Sequence, residues 1–231
     1  MYYTEYRSYI FRSSVPLEPE TLDRFVRIFR GDESSCARTG LSDSGTVLGG
    51  RTSSRFTEIP ETGPVAVKFY SRGGLIRHIS SDRYFYTGSI RSGVEFSFLS
   101  HARKAGVSVP FPLAYASKGR VFYRAWLITR RIQAHTSFAE LCLNDPERAF
   151  RLVPSISRSV RRLVEKGICH VDLHPGNVLI DWNDVNYIID FDKAFFYSKS
   201  RAKLAEKYRN RWARAVRKHG LPESFAVLDI E

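Results

Sequence analysis

The sequence predicts an α+β fold, with a β-rich lobe over about residues 1–131 and a helical lobe over about 132–231. Short runs rich in β-branched and aromatic residues dominate the first half, whereas longer segments with helical spacing dominate the second. The chain has 231 residues, 43% of them apolar, which is enough for a sizeable core. We therefore expect a single domain over 1–231, although residues 1–35 are too mixed to predict an element.

The first half contains two predicted strand pairs and one helix. Residues 40–51 (GLSDSGTVLGGR) are rich in glycine and serine and predict a loop. The runs RFTEI and PVAVKFY, separated by the turn-like PETG, predict a hairpin. Residues 92–105 predict a helix that ends at Gly106, and further strands are expected at 111–116 and 121–129.

The second half is predicted to be mostly helical. Residues 145–166 have helical spacing, with Pro146 suited to the first turn and Pro154 expected to break or kink the helix. The runs ICHVDLHPGNVLID and NYIIDF predict strands joined by loops. Residues 200–219 predict a basic helix at the end of the chain.

Charge is the most unusual feature of the composition. The 36 Lys and Arg outnumber the 24 Asp and Glu, which gives a net charge of +12 and a surface that attracts phosphates, anionic lipid or nucleic acid. The cysteines, Cys36, Cys142 and Cys169, are odd in number and far apart, which argues against a disulfide framework and a cysteine zinc site. No run approaches the roughly 18–20 apolar residues of a membrane span. Since no signal peptide is recognisable either, we expect a protein that stays in the cytoplasm or on a membrane surface.

Five short elements together supply the parts that phosphoryl transfer from ATP uses. They are, in chain order, Gly49-Gly50, Lys68 in VAVK, Glu95 in a predicted helix, Asp172 and Asn177 in HVDLHPGN, and Asp190 in IIDFD.

Each element has a predicted role in that chemistry. Backbone N–H groups of the glycine pair cover the phosphates, and Lys68, held by Glu95, contacts them. Asp172 orients the hydroxyl nucleophile and accepts its proton. Asn177 and Asp190 offer the hard oxygen ligands that Mg²⁺ takes, so ATP and Mg²⁺ are the predicted cofactors.

Each element alone also has an ordinary structural explanation. A glycine pair is most often a turn, a strand lysine lies at the surface, and a helical glutamate is solvated. His170 is predicted to be a core histidine that braces the loop. A zinc site at His170 and His174 would need a helix, whereas Pro175 and Gly176 follow directly, so zinc is not favoured. The prediction therefore depends on the ordered set.

The loop HVDLHPGN resembles the catalytic loop of small-molecule kinases and atypical protein kinases. The segment VKFYSRGGLIRHISSDRYFYTGSIRSGVEFSFL is similar to the 3-deoxy-D-manno-octulosonic acid (Kdo) kinase family of the lipopolysaccharide kinase group. The matching motifs run from Tyr70 to Gly74 and from Asp82 to Gly88, and Glu95 matches the paired glutamate. The resemblance covers about residues 45–218 and implies a bilobal protein-kinase-like fold.

The resemblance also implies an activity and a location. The γ-phosphate of ATP would pass to a hydroxyl of Kdo on lipid A, the 4-hydroxyl by family habit, in lipopolysaccharide core biosynthesis. The enzyme would be peripheral, on the cytoplasmic side of the inner membrane, with a lipopolysaccharide precursor and the anionic membrane surface as partners and no nucleic acid. The arginines between Lys68 and Glu95 are candidates for binding the sugar carboxylate or lipid phosphates. They are Arg72, Arg77, Arg83 and Arg91.

The last predicted helix supports a membrane surface as partner. In residues 201–218, Leu204, Tyr208 and Trp212 recur on one face and are expected to be buried. Basic residues flank this stripe, and we expect them to meet anionic headgroups.

Other functions stay open at this point. A small-molecule phosphotransferase for an aminoglycoside or choline is one, although the basic chain suits a cationic substrate poorly. An atypical Ser/Thr protein kinase is another, although no APE element or long activation segment is present. A basic nucleic-acid-binding protein would explain the charge, but no nucleic-acid fold signature is recognisable. A pseudokinase scaffold would show no Mg²⁺-dependent ATP turnover.

Overall fold

The computed structural model describes residues 1–31, 54–60, 62–70, 84–85 and 88–230. The chain divides into two compact units. Unit 1 comprises Met1–Phe96 with Phe111–Arg131, and unit 2 comprises Ser97–Pro110 with Ile132–Glu231. The second half of a helix and the loop after it, Ser97–Pro110, thus group with unit 2 and not with the strands that flank them in sequence. A single domain over the whole chain stays a prediction.

Unit 1 is built on an antiparallel sheet. Its strands within the described residues are β1 (Tyr2–Tyr6), β2 (Tyr9–Ser13), β3 (Ser54–Ile59), β4 (Gly63–Phe69), β5 (Tyr84–Phe85), β6 (Pro112–Lys118) and β7 (Phe122–Arg130). The strand order is β1-β2-β6-β7-β4-β3, and β5 pairs with β7. The predicted hairpin is therefore confirmed as β3 and β4, and the two later strands as β6 and β7.

The N-terminal hairpin and the helix after it, α1 (Pro19–Arg30), are elements that the sequence did not predict. The turn of the hairpin uses Arg7 and Ser8 at φ 47° and 64°, so it lacks the glycine or asparagine that usually marks such a turn. The signals of α1 were present, since Pro19 opens it and Gly31 ends it in the left-handed conformation at φ 84°. Its buried face completes the core of unit 1.

Five of the fifteen buried residues of that core are aromatic. Phe29 of α1 stacks on Trp126 of β7 with ring centroids 4.4 Å apart, and Tyr9 of β2 lies 5.5 Å from the same indole. Val65 and Val67 of β4 are fully buried beneath them. Because side chains alternate along a strand, Ala66 and Lys68 point to the other face of the sheet.

The second helix, α2 (Arg91–Lys104), begins in unit 1 and ends in unit 2. It confirms the helix predicted over 92–105, and Gly106 follows it at φ 77°.

Unit 2 consists of helices with short strands between them. The helices are α3 (Phe138–Asn144), α4 (Pro146–Lys166) and α5 (Arg201–Lys218), and the strands are β8 (His135–Ser137), β9 (Ile168–Cys169), β10 (Val178–Asp181), β11 (Asn186–Ile188) and β12 (Phe195–Phe196). The strands pair antiparallel in the orders β11-β10-β8 and β12-β9.

A break at Pro154 is wrong, because α4 continues through it to Lys166, while a kink there stays a prediction. A proline inside a helix removes one hydrogen bond. The flanking residues Leu152, Ile156 and Val160 are all buried, and this packing holds the helix together across the missing bond.

The final helix confirms the amphipathic pattern. Leu204, Tyr208, Trp212 and Val216 are buried along one face of α5, and basic side chains occupy the exposed face. The Trp212 indole N–H donates to the Phe225 carbonyl at 2.8 Å. Among the described residues, no helix combines the length and apolar character that crossing a membrane requires.

The buried Tyr208 hydroxyl fixes the chain on either side of Cys169. It donates to the Ile168 carbonyl and accepts from the His170 backbone N–H, both at 2.7 Å. Burial raises the pKa of this phenol well above its ordinary value, so the group stays protonated and can do both.

We expect Tyr208→Phe to lower the free energy of unfolding by about 2 kcal/mol, since it leaves a buried N–H and a buried carbonyl without a partner. Urea unfolding followed by circular dichroism measures the change. Tyr187→Phe is the matched control, because its hydroxyl makes one long contact of 3.4 Å to Asp181. A loss below about 0.5 kcal/mol in Tyr208→Phe would contradict the anchoring role.

Candidate active site

Lys68 lies on β4, a strand with neighbours on both sides. It pairs with Ser54 of β3 and Leu127 of β7, so the backbone on which it stands is held in place. The alternation along β4 turns Val67 into the core and Lys68 to the opposite face. Its side chain is 16% exposed.

Glu95 of α2 holds the Lys68 ammonium. The Nζ atom is 3.0 Å from Oε1 and 2.8 Å from Oε2. The Glu95 side chain is only 3% exposed, and Tyr70 donates a hydrogen bond from its hydroxyl to the same carboxylate. Since a buried carboxylate needs both charge and hydrogen-bond partners, Lys68 and Tyr70 together make the burial of Glu95 possible.

Arg91, a predicted substrate ligand, lies beside Tyr70. Its guanidinium lies 5.7 Å from the ring centroid of Tyr70 and 5.0 Å from that of Tyr84, and Nη1 donates to the Tyr84 hydroxyl at 2.9 Å. The structure thus places Arg91 next to the tyrosine that contacts Glu95. A contact of Arg91 with substrate stays a prediction.

The second part of the site lies in unit 2, on the loop between β9 and β10. Asp172 is at its exposed tip, and Pro175–Asn177 form a single turn of 3₁₀-helix that returns the chain to β10. The Asn177 side-chain Nδ2 donates to the Asp172 backbone carbonyl at 2.8 Å. This bond fixes the distance between the two residues and leaves the Asn177 Oδ1 as the atom that can bind a cation.

Asp190 follows β11 and reaches the same end of this small sheet. The antiparallel register pairs Val178 with Ile188, and beyond this pair the Ile189 N–H donates to the Asn177 carbonyl at 3.0 Å. Asp190 therefore comes next to Asn177 in the strand pair. Its φ of 66° is a left-handed conformation, which is uncommon in non-glycine residues and which aspartate adopts more readily than most.

His170 ties the loop to the chain around Asp190, as predicted for a bracing core histidine. Its Nε2 lies 2.8 Å from the Ile189 carbonyl and therefore carries the proton that it donates. Its ring packs edge-on against Phe191 at 4.6 Å. Burial lowers the pKa of His170 to about 4, so the imidazole is neutral at physiological pH.

His174 caps the 3₁₀ turn. Its Nδ1 accepts from the Gly176 N–H at 3.1 Å. Burial lowers the pKa of His174, which favours the neutral ring that this bond needs. His174 therefore has a local capping role, and no zinc ion is needed to explain its position.

Arg211 is a site residue that the sequence analysis missed. It extends from α5, and its Nη1 lies 3.5 Å from Oδ1 of Asp172. The sequence marked it only as one of several basic residues on α5, and helical spacing cannot select the one nearest to Asp172. Tyr70 was missed as well, although it opens one of the family motifs.

The structure thus brings Lys68 and Glu95 together in unit 1, and Asp172, Asn177 and Asp190 together in unit 2. The remaining predicted residues fall outside the described part of the chain. They are Gly49, Gly50, Arg72, Arg77 and Arg83.

The donor set in unit 2 fits a magnesium ion. Mg²⁺ takes oxygen ligands and is usually bound by one or two protein oxygens together with substrate phosphates. The Asn177 amide is already oriented with its oxygen available, and Asp190 adds a carboxylate. These two residues would hold the ion, as the sequence predicts.

Comparison with known proteins places this site in a family context. Residues 46–221 match the model of the lipopolysaccharide kinase (Kdo/WaaP) family. The chain is 31% identical to a 3-deoxy-D-manno-octulosonic acid kinase of Vibrio cholerae, over 85% of this chain and 88% of that protein. It is 34% identical to a protein of the same name from Photobacterium profundum, over 73% of each.

A solved MAP kinase from Leishmania major matches with a TM-score of 0.49 and 18% identity. The match covers 74% of this chain and 50% of that chain, and it is too low to add to the argument.

We expect Lys68→Met to lower the free energy of unfolding by about 3 kcal/mol without any ligand, because it removes the ammonium that contacts both oxygens of the buried Glu95 carboxylate. The double variant Lys68→Met/Glu95→Gln should lose less than the sum of the single losses, since the two side chains act as a pair. Lys104→Met, at an exposed position of α2, is the control and should stay within about 0.5 kcal/mol of wild type. Additive losses in urea unfolding would refute the pair.

The folded protein favours the neutral form of His170. The contribution of His170 to the free energy of unfolding is therefore complete above its ordinary pKa of 6.5 and declines as the pH falls toward about 4. Wild type should therefore lose about 2 kcal/mol more unfolding free energy between pH 7 and pH 4.5 than His170→Gln, which keeps a donor for Ile189 but does not titrate. Urea unfolding at several pH values measures this difference. Parallel pH profiles of the two proteins would contradict it.

Proposed function

The chain belongs to the lipopolysaccharide kinase (Kdo/WaaP) family, and on that basis we propose that it transfers the γ-phosphate of ATP to the 4-hydroxyl of a Kdo residue on lipid A. That it is a phosphotransferase with an alcohol acceptor follows from the family. The observation that supports the phosphate-transfer step is the loop in which exposed Asp172 is joined to Asn177 through its own carbonyl, with Asp190 next to Asn177 in the strand pair.

Each residue of that loop has a defined task in the transfer. The Asp172 carboxylate is exposed, so an acceptor hydroxyl can reach it and give up its proton there. Asn177 and Asp190 would hold Mg²⁺, which when bound neutralises charge on the phosphate oxygens. His170 is buried and neutral and keeps the two chain segments together.

In unit 1, Lys68 would contact the ATP phosphates. Glu95, itself held by Tyr70, fixes the Lys68 side chain in one position. Little side-chain entropy of Lys68 therefore remains to be lost when ATP binds. A cation of fixed position is what a transferring phosphoryl group requires. Gly49 and Gly50 stay proposed as the glycine loop over the phosphates, and Arg72, Arg77, Arg83 and Arg91 as acceptor ligands.

We further propose that the protein acts on the cytoplasmic side of the inner membrane, as a peripheral protein. The net charge of +12 supports attraction to an anionic surface. On α5 the apolar stripe is buried, which leaves the basic face for the solvent. A shallow depression near the end of that face is lined by Asn210, Arg214, Arg217 and Lys218.

Incubation of Kdo-lipid A with the protein and ATP, followed by mass spectrometry, tests the reaction. We expect a gain of one phosphate that disappears with EDTA, and fragmentation should place it on the 4-hydroxyl. Asp172→Asn should lower kcat by about 10²–10⁴-fold, because the amide cannot accept the proton. Asp184→Asn, in the exposed turn between β10 and β11, is the matched control. More than about a tenth of wild-type kcat in Asp172→Asn would exclude it as the base.

Binding to anionic liposomes tests the location. Arg217→Gln/Lys218→Gln should weaken binding by about 30-fold, since each basic residue near an anionic surface contributes roughly 1 kcal/mol. Wild-type binding should also fade with salt. The control Arg158→Gln/Lys166→Gln removes the same charges from exposed positions of α4. Equal binding of both double variants and wild type at low salt would mean that this end of α5 does not meet the membrane.

A further inference from the structure

A second depression on the exposed side of α5, which we call the basic groove, has a volume of about 430 Å³. This lies within the range of roughly 300–1,000 Å³ that is usual for small-molecule sites. It is lined by Tyr197, Lys203, Glu206, Lys207, Asn210, Arg211 and Arg214. None of the five predicted catalytic elements includes these residues.

The groove carries four cations against one carboxylate. Lys203, Lys207 and Arg211 follow one another at intervals of four residues, which places them side by side on the helix. Like charges at this spacing destabilise a helix by a few tenths of a kcal/mol per pair. Within the described chain, no carboxylate oxygen lies within 4 Å of the charged nitrogens of Lys203, Lys207 or Arg214. The charges are therefore not arranged to support the helix itself.

The groove is continuous with the catalytic loop through Arg211. The guanidinium that lines the groove also lies 3.5 Å from Oδ1 of Asp172. A guanidinium has five N–H donors, and one contact with Asp172 leaves others for a ligand. A molecule in the groove thus lies one side chain away from the proposed base.

Aromatic rings fix one of the groove cations in place. Tyr197 lies on the side facing Lys207, whose Nζ is 5.7 Å from the Tyr197 ring centroid and equally far from that of Phe195. These contacts hold the Lys207 ammonium over the aromatic surface. Asn210 adds an amide that can both donate to and accept from hydroxyl groups.

We propose that the basic groove is the anion subsite for the acceptor. It binds a carboxylate or phosphate of the acceptor while the acceptor hydroxyl meets Asp172. The inference rests on the proposed function and assigns the acceptor's recognition to α5. Arg211 is then a positioning residue, because it contacts both the groove and the base.

Steady-state kinetics with Lys207→Gln/Arg214→Gln test the subsite. We expect the KM for Kdo-lipid A to rise at least about tenfold, which corresponds to about 1.4 kcal/mol, since two charged contacts with the acceptor anion are lost. The KM for ATP and kcat should stay within about twofold. Arg158→Gln/Lys166→Gln, which removes the same charges from α4, should match wild type, and Lys207→Arg/Arg214→Lys should keep a low KM.

Three acceptors distinguish the source of the anion. They are a lipid-free Kdo glycoside, the same glycoside with its carboxylate converted to an amide, and dephosphorylated Kdo-lipid A. If the sugar carboxylate occupies the groove, wild type and Lys207→Gln/Arg214→Gln should have the same KM for the amide. If a lipid phosphate occupies it, the two proteins should have the same KM for dephosphorylated Kdo-lipid A, and either result supports the subsite.

An unchanged KM for every acceptor, or a rise in the KM for ATP alone, would overturn the proposal. Calorimetry with the lipid-free glycoside separates this failure from failure of the proposed function. Binding that Lys207→Gln/Arg214→Gln weakens, with no phosphate transfer in wild type, rejects the function and keeps the subsite, whereas transfer with equal KM values in both proteins rejects the subsite alone. If the double variant does not fold, Lys203→Gln, at an exposed position in the first turn of α5, replaces it.

Discussion

The hydroxyl of Tyr208 is the contact on which unit 2 depends most. The strand β9 has only two residues and cannot by itself determine where the loop after it begins. Tyr208 bonds the backbone on both sides of Cys169, and these bonds lie in a buried place where water cannot replace them. The position of Asp172 is thus set from α5, a helix that begins 29 residues later in the chain, at Arg201.

In unit 1 the corresponding constraint is the pair of Lys68 and Glu95, which holds the lysine side chain in one position. A carboxylate as deeply buried as Glu95 is unfavourable by itself, and the cation and phenol around it offset that cost. Such a pair contributes little net stability but strongly favours one geometry. The aromatic ring of Tyr84 and the guanidinium of Arg91 extend this ordered region beyond the pair.

Sequence reasoning was most successful where the pattern is local. The strands around Lys68, α2 and α5 follow from periodicity, and the order of motifs selected Asp172, Asn177 and Asp190, which the structure brings together on one small sheet. The N-terminal hairpin was missed because Arg7 and Ser8 make an unusual turn. Arg211 was missed because its importance comes from a contact with Asp172, 39 residues earlier in the chain, and no helical pattern encodes such a distance.

The two faces of α5 also bear on how an enzyme of this kind can diversify. Substitutions at the buried positions disturb the core, whereas exposed positions usually change stability by less than about 0.5 kcal/mol. Lys203, Lys207 and Arg214 belong to the second group. Selection or a randomised library can therefore vary the charge and shape beside the catalytic loop while the backbone that positions Asp172 is preserved. One helix separates the part of the protein that must stay constant from the part that can adapt to a new acceptor.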